Sequence, residues 1–209
     1  MKNYVITIAR TFGSGGKEIG TKVAEALGIP CYDRQLLKMA SEKSQIDENL
    51  FVEANEKKRG KQLISSLRRY PNSNVLVPQD EGFISNDNLF NIVADIIGTI
   101  AWDESCVIMG KCADNVLRNY PNVIRLFIDA PPEVCIRSVM NKMNITERRA
   151  RYLVNRTNSY RSQYYHYYTG GRIWKDPFNY DMFLNSDRIG RDECAKLIEA
   201  YVHTRFKDA

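Results

Sequence analysis

The 209-residue sequence lacks any long apolar run and is poor in the residue types that build metal and disulfide sites. No segment reaches the roughly 18 apolar residues of a membrane-spanning helix, and the first residues lead into a predicted strand without an apolar signal segment. The five cysteines form no Cys-x-x-Cys pair, and only two histidines are present. These absences argue against a disulfide framework, a zinc site or another metal-ligand cluster. We expect a soluble, cytoplasmic protein with reduced thiols and no membrane partner.

The net charge of +5 is distributed unevenly, with basic residues concentrated at 57–69 and 137–161. Such regions attract polyanions, although they are more often solvated helix faces. No recognition helix, zinc spacing or aromatic RNA-binding strand accompanies them, so we do not expect nucleic acid as a partner. A polyanion-binding protein remains an open hypothesis, and it predicts RNA binding that weakens steeply with salt and is indifferent to ATP.

Strand-like and helix-like segments alternate along most of the chain. The predicted strands are 4–9, 30–32, 106–109, 123–128 and 182–184, and the clearest helices are 16–27, 35–43, 88–102 and 191–206. This alternation predicts an α/β protein with a parallel sheet covered by helices on both faces. We expect a single domain over 1–209. A region inserted at about 44–85, helical over 47–69, packs either on its own domain or on a neighbouring subunit of a homo-oligomer.

A glycine-rich turn joins the first strand to the first helix and is the most informative segment of the sequence. The turn contains Gly13, Ser14, Gly15, Gly16 and Lys17. A strand, a glycine turn and a helix start together direct backbone N–H groups and the positive end of a helix dipole at one anion. Lys17 adds a charge that can reach the outer phosphates of a nucleotide. The alternative is a strand-to-helix turn without a ligand.

The turn departs from the phosphate-binding pattern G-x-x-x-x-G-K-[ST] at two positions. Thr11 replaces the first glycine, and Glu18 replaces the hydroxyl residue that usually assists magnesium binding. A carboxylate beside bound phosphates would repel them, so we expect Glu18 to turn outward and cap the helix start. Asp33 and Arg34 follow the second strand, and the carboxyl ends of parallel strands share one edge, so both should lie near the turn.

Several motifs together resemble the cytidylate kinase-like family of P-loop proteins. The motifs are the segment Phe12–Gly20, the segment Ile29–Arg34, the run Val107–Lys111, the run Phe127–Glu133, the arginines from Arg148 to Arg161, and Tyr164–Gly170 followed by Asn179–Asp181. The resemblance implies a three-layer P-loop fold with an arginine-bearing helical lid at about 144–175. It also implies phosphoryl transfer from ATP, assisted by Mg²⁺, to a nucleoside monophosphate, with cytidylate (CMP or dCMP) as the first candidate.

The resemblance also assigns roles to individual residues. Residues Gly13 to Glu18 would hold ATP, and Asp33 and Arg34 would face the acceptor, although Asp33 could equally cap the following helix. Lys111 would contact the acceptor phosphate, the alternative being an exposed loop lysine. Arg156 and Arg161 would stabilise transferring charge, the alternative being helix-surface arginines.

The remaining predictions concern aromatic residues and the level of activity. The tyrosines from Tyr160 to Tyr168, with Trp174, could stack on a nucleobase or pack a lid or subunit contact. Met109 stands where many nucleoside monophosphate kinases carry an aspartate near magnesium. Together with Glu18, Met109 keeps open a second hypothesis, a nucleotide-binding sensor that has lost phosphoryl transfer.

Overall fold

Five strands form one parallel sheet in the computed structural model, which describes residues 3–56 and 75–206. The strands are β1 (Val5–Arg10), β2 (Cys31–Tyr32), β3 (Cys106–Met109), β4 (Val123–Asp129) and β5 (Met182–Asn185). Their order across the sheet is β2-β3-β1-β4-β5, and every neighbouring pair is parallel. The predicted parallel α/β sheet is confirmed, with β1 at its centre.

Helices connect the strands and cover both faces of the sheet. They are α1 (Gly16–Leu27), α2 (Gln35–Ser44), α3 (Glu48–Glu56), α4 (Asn86–Asp103), α5 (Ala113–Val116), α6 (Pro132–Met143), α7 (Glu147–Tyr168), α8 (Ser186–Ile189) and α9 (Arg191–Arg205). Successive residues of β1 point to opposite faces. Val5 packs with α2, α3 and α4, whereas Ile6 and Ile8 pack with α1 and α9. The fold therefore has three layers, as predicted.

Several element boundaries differ from the sequence prediction. The sequence predicts Asn86 or Asp87 as the N-cap of α4, but neither caps it, because both lie within its first turn. The cap is Ser85, whose extended backbone lets its hydroxyl accept a hydrogen bond from the N–H of Asn88. The sequence predicts that a helix after the third strand runs through Arg118, whereas α5 ends at Val116, and the short helix α8 was not predicted.

The inserted region is described only in part. Within the predicted helix 47–69, α3 ends at Glu56, and residues 57–74, which include the first basic region, lie outside the described residues. Phe51 and Ala54 of α3 are buried in the core beneath α2 and α4. This part of the insertion therefore packs on its own domain. No helix of the described chain is long and apolar enough to cross a membrane.

The long helix α7 corresponds to the predicted arginine-bearing lid. The sequence predicts Thr146 as the N-cap, and the structure confirms it, with the Thr146 hydroxyl accepting from the N–H of Arg149. Near its start, Ala150 packs against α6. Near its end, Tyr168 stacks on Phe90 of α4 with ring centroids 3.8 Å apart. This helix thus spans the sheet edge where the strands end. All five cysteines are free thiols and four are buried, which agrees with the prediction.

Candidate active site

The glycine turn forms a tight loop anchored on β4 and α6. The N–H of Thr11 donates to the carbonyl of Ile128, and the Ser14 hydroxyl donates to the carbonyl of Thr11. Gly13 and Gly15 have φ angles of 95° and 82°, a region that other residues rarely adopt. A side chain at Gly13 would place its Cβ 2.5 Å from the carbonyl oxygen of α6 residue Cys135. The loop conformation therefore requires glycine at these positions.

Helix α1 begins at the end of this loop and supplies its anion-binding groups. The first N–H groups of a helix, here those of Gly16, Lys17 and Glu18, have no partner within the helix. They lie at the positive end of the helix dipole, where phosphate groups bind favourably. The side chain of Lys17 is 65% exposed and reaches Asp33, with its Nζ 3.0 Å from Oδ2. The sequence predicts phosphate binding at these groups, and the structure places them together at the start of α1.

Glu18 turns toward α9 and does not cap α1. Its carboxylate lies 2.6 Å from Nη1 of Arg191 and 3.1 Å from Nζ of Lys22. Partial burial raises the pKa of Glu18, but the hydrogen bonds from these two cations outweigh it, so the pKa lies below its ordinary value. The N-cap of α1 is Gly15, without a side-chain bond. Glu18 therefore stays ionised, and two cations balance its charge beside the loop.

A cavity of about 340 Å³ opens next to the glycine loop. Four predicted site residues line it, namely Asp33, Arg34, Lys111 and Arg161. Arg156 does not line this cavity and lies on the exposed side of α7. The topology explains the grouping, because β1, β2 and β3 all end at this edge of the sheet and α7 passes over it.

Asp33 joins the loop to the cavity. Its Oδ1 lies 3.1 Å from Nη2 of Arg10, and its Oδ2 lies 3.0 Å from Nζ of Lys17. Burial alone would raise the pKa of Asp33, but the two cations outweigh it and hold the pKa below its ordinary value. The alternative role as a helix cap is not observed, because the N-cap of α2 is Arg34. Asp33 is instead a counter-ion shared by two cations.

Lys111 lies in the cavity on a strained turn after β3. Gly110, Lys111 and Cys112 have φ angles of 71°, 58° and 55°, so two non-glycine residues adopt the left-handed conformation. The side chain of Lys111 lines the cavity and is not a freely exposed loop lysine. Burial, followed by repulsion from Arg10, lowers the pKa of Lys111 to about 8, although Asp33 acts in the opposite direction.

Two residues of α7 attach this helix to the glycine loop. Arg161 donates from Nη1 to the carbonyl of Arg10 at 2.8 Å, and its guanidinium lies 5.8 Å from the centre of the Phe12 ring. Asn158 accepts from the N–H of Phe12 through Oδ1 at 2.8 Å. Burial, followed by repulsion from Arg10, lowers the pKa of Arg161 to about 9. Arginine remains charged at neutral pH all the same.

Arg10 is a cavity residue that sequence reasoning missed. It ends β1, and its side chain is only 13% exposed. Burial lowers the pKa of Arg10, and Asp33 opposes that effect. Two glycines make room for it: a Cβ on Gly16 would lie 2.6 Å from Arg10 Cβ, and one on Gly110 would lie 2.3 Å from Arg10 Nη1. A cation ending an otherwise apolar strand was the sequence signal that could have indicated it.

The opposite end of the cavity is aromatic. Tyr160, Tyr164, Tyr165 and Trp174 line it. Tyr165 and Trp174 are buried and pack in the aromatic core around Phe127. Tyr160 and Tyr164 are half-buried. The tyrosine cluster therefore packs α7, and Tyr160 and Tyr164 also contact each other, with ring centroids 6.1 Å apart, where they line the cavity.

A buried carboxyl group lies among these aromatic rings. Asp114 is 5% exposed, and its Oδ2 accepts a hydrogen bond from the hydroxyl of Tyr165 at 2.8 Å. Burial raises the pKa of Asp114 to about 6. Because Asp114 also lines the cavity, a bound molecule would meet a hydrogen-bonding group at this end.

Met109 fills the position at the end of β3 with an apolar side chain. It is 1% exposed, and a Cβ on Gly20 would lie 2.7 Å from its sulfur. Helix α1 thus packs closely on β3 through this glycine. The cavity consequently has no carboxylate at this position.

The parallel sheet, the glycine loop between β1 and α1, and the arginine-bearing helix over the loop together define a P-loop kinase-type protein. Within this class, a model of the cytidylate kinase-like family matches residues 5–188, so the chain belongs to that family. A search of the curated proteins finds no match.

Solved structures share this fold. A protein of Eubacterium ventriosum, described as uncharacterized, is 22% identical with a TM-score of 0.70, over 97% of this chain and 99% of that one. Shikimate kinase from Bacteroides thetaiotaomicron is 13% identical with a TM-score of 0.54, over 96% of this chain and 98% of that one. At these identities the similarity concerns the fold alone.

Proposed function

We propose that the protein transfers the γ-phosphoryl group of ATP to a nucleoside monophosphate, with cytidylate (CMP or dCMP) as the first acceptor to test. One observation carries the proposal: Asp33 bonds simultaneously to Lys17 of the glycine loop and to Arg10 of the cavity. A donor in the loop and an acceptor in the cavity would therefore meet where the two cations that share this carboxylate lie. Family membership supports a kinase, and the choice of acceptor is ours.

The proposed reaction needs charge neutralisation and positioning more than covalent help from the protein. An oxygen of the acceptor phosphate forms a bond to the γ-phosphorus while the bond from that phosphorus to the bridging oxygen breaks. The electron pair of the broken bond stays on ADP, and the acceptor oxygen is already deprotonated, so no base is required. Lys111 would hold the acceptor phosphate, and Arg161 would bind equatorial oxygens of the transferring group.

Asp33 is the carboxylate that could assist a magnesium ion beside the loop, but both of its oxygens already bond to cations, Arg10 and Lys17, so its help would run through water. Glu18 is paired with Arg191 and Lys22, and Met109 offers no oxygen. Mg²⁺ commonly takes most of its ligands from phosphates and water, so one carboxylate acting through water is sufficient. When bound with ATP, the ion would neutralise charge on the β- and γ-phosphates. The amount of help from the protein is small, which makes metal dependence worth measuring directly.

The same two positions support the alternative of a nucleotide-binding sensor. Without a hydroxyl at Glu18 or an aspartate at Met109, the ion has fewer contacts with the protein than the usual pattern provides. A sensor would bind ATP through the loop and leave it intact. A kinase and a sensor would both bind ATP, but only the kinase would turn it over.

The test is release of ADP from ATP and Mg²⁺ in the presence of CMP, dCMP, UMP, AMP, GMP or dTMP. Lys17→Met and Arg161→Met should each lower kcat/KM by at least about a hundredfold, since each removes a charge that faces the transferring group. Arg149→Met is the matched control, because Arg149 is exposed on the same helix as Arg161 and does not line the cavity.

Turnover with one acceptor, lost in both variants and kept in the control, would support the kinase. ATP binding by calorimetry without turnover on any acceptor, abolished in Lys17→Met, would instead support the sensor.

A further inference from the structure

We propose that Arg10 is a catalytic residue, whose guanidinium contacts the γ-phosphoryl group at the junction between the glycine loop and the cavity. This inference rests on the proposed function, because it presumes ATP in the loop. It goes beyond that function by assigning the charge-stabilising role to a residue outside the glycine loop and outside α7.

The Arg10 guanidinium and the Lys17 amine are both bonded to the same carboxylate. Nη2 of Arg10 and Nζ of Lys17 lie 3.1 Å and 3.0 Å from the two oxygens of one carboxylate, that of Asp33. The two cationic groups are therefore separated by no more than these two contacts and the width of one carboxylate. A lysine at this position of a phosphate-binding loop reaches the β- and γ-phosphates. A γ-phosphoryl group that meets Lys17 is consequently within reach of Arg10.

The Arg10 side chain extends from the glycine loop toward the proposed acceptor site. Arg10 ends β1, but its guanidinium extends to the end of β3, where Nη1 lies against Gly110. Lys111, which the proposed function assigns to the acceptor, is the next residue in the chain. Arg10 also lines the cavity, and its side chain is 13% exposed, so part of this side chain borders the cavity. The guanidinium thus lies between the proposed donor and acceptor sites.

Positively charged side chains are concentrated at the junction between the glycine loop and the cavity. Arg10, Lys17, Lys111 and Arg161 bring four positive charges to this junction, and the carboxylate that faces Arg10 and Lys17 is Asp33. Burying a cation without an anionic partner is costly, so a junction of this kind favours an incoming anion with several charges. The polyphosphate of ATP meets that requirement.

In the proposed step, Arg10 binds an equatorial oxygen of the γ-phosphoryl group while the bond to the acceptor oxygen forms and the bond to the bridging oxygen of ADP breaks. Arg10 neither gains nor loses a proton. Its fork of donors suits a planar transferring group, and it is held by Asp33 and by the space left at Gly16 and Gly110 before the reaction begins. Such preorganisation is what makes charge stabilisation effective.

A purely structural ion pair would look similar, and the comparison of ATP with ADP separates the two roles. Only ATP carries the γ-phosphoryl group, so a contact with Arg10 predicts that loss of this side chain weakens ATP binding and leaves ADP binding unchanged. The probes are ATP and ADP with Mg²⁺, titrated by calorimetry into the full chain. The variants are Arg10→Met, Arg10→Lys and the double variant Arg10→Met with Asp33→Asn, which leaves no carboxylate without its partner.

We expect the ratio of the Kd for ADP to the Kd for ATP to fall at least about tenfold in Arg10→Met and in the double variant, as for loss of a charge-assisted hydrogen bond. Arg10→Lys retains the positive charge and should therefore keep part of the preference for ATP over ADP. It also replaces Arg10→Met in the experiment if that variant does not fold. Asp33→Asn alone is the reference for the double variant, and Arg149→Met is the control for removal of a positive charge outside the cavity.

An unchanged ratio in folded Arg10 variants, or an equal loss of affinity for both nucleotides, would overturn the inference while leaving the kinase proposal in place. A changed ratio in a protein that shows no turnover would support the contact and point to the sensor. Failure of the unsubstituted protein to bind either nucleotide would overturn both proposals together.

Discussion

The assignment of Lys111 to the acceptor phosphate can be tested directly, because the protonation state of its amine should depend on whether a phosphate occupies the cavity. Burial and the nearby Arg10 lower the pKa of this amine from 10.5 to about 8 in the ligand-free protein. At a pH of about 8.5, roughly a quarter of the molecules then carry the proton on Lys111. A phosphate dianion beside the amine favours the charged form and should restore the proton in nearly all of them.

The expected magnitude follows from these populations. Binding of CMP should be accompanied by uptake of about 0.7 proton on Lys111 at a pH of about 8.5, and by almost none at a pH of about 6.5, where the amine is already charged. The direction of this pH dependence follows from the lowered pKa of Lys111, because the amine is charged at a pH below this pKa and neutral at a pH above it. The value of kcat/KM for the acceptor should accordingly fall as the pH rises above about 8.

Calorimetry of CMP binding in two buffers with different ionisation enthalpies measures the proton uptake. Lys111→Arg is the comparison, since its guanidinium stays charged over this range. The ionisation of CMP and of Arg161 contributes equally to both proteins and cancels in the difference. Equal uptake in the two proteins, or none at the higher pH in the unsubstituted protein, would refute the assignment of Lys111 to the acceptor phosphate.

Two further predictions concern stability. Gly110→Ala should lower the free energy of unfolding by about 1–2 kcal/mol, because φ is 71° at this position. It should also reduce the preference for ATP over ADP by displacing Arg10, and chemical denaturation together with the nucleotide titration would measure both effects. Asp114→Asn keeps an acceptor for the Tyr165 hydroxyl but cannot ionise. The raised pKa of about 6 means that Asp114 favours folding at low pH and loses that contribution as the pH rises from about 4 to above 6. The free energy of unfolding of Asp114→Asn, relative to that of the unsubstituted protein, should therefore increase by about 3 kcal/mol as the pH rises from about 4 to about 7. A difference between the two proteins that stays constant with pH in urea unfolding would contradict this prediction.

Much of the fold was predictable because local patterns determine it. The apolar run of β1, the glycines before α1 and the glycine after it indicate a strand, a loop and a helix without any knowledge of distant contacts. The predicted bounds 16–27 agree with α1 (Gly16–Leu27), and the predicted 106–109 agrees with β3 (Cys106–Met109). The cap of α4 was assigned to the wrong residue because serine, asparagine and aspartate are adjacent there and all three are good caps.

The candidate site was predictable only where a motif marks it. The sequence by itself determined the parallel α/β architecture and the glycine loop, since strand periodicity and glycine conformation are properties of short segments. Tertiary structure decided which side chains meet. It paired Asp33 with Lys17 and Arg10, turned Glu18 toward Arg191, and left Arg156 outside the cavity. These contacts join residues from β1, α1, α9 and the segment after β2, and the distances between such residues depend on how the layers pack, which no local pattern encodes.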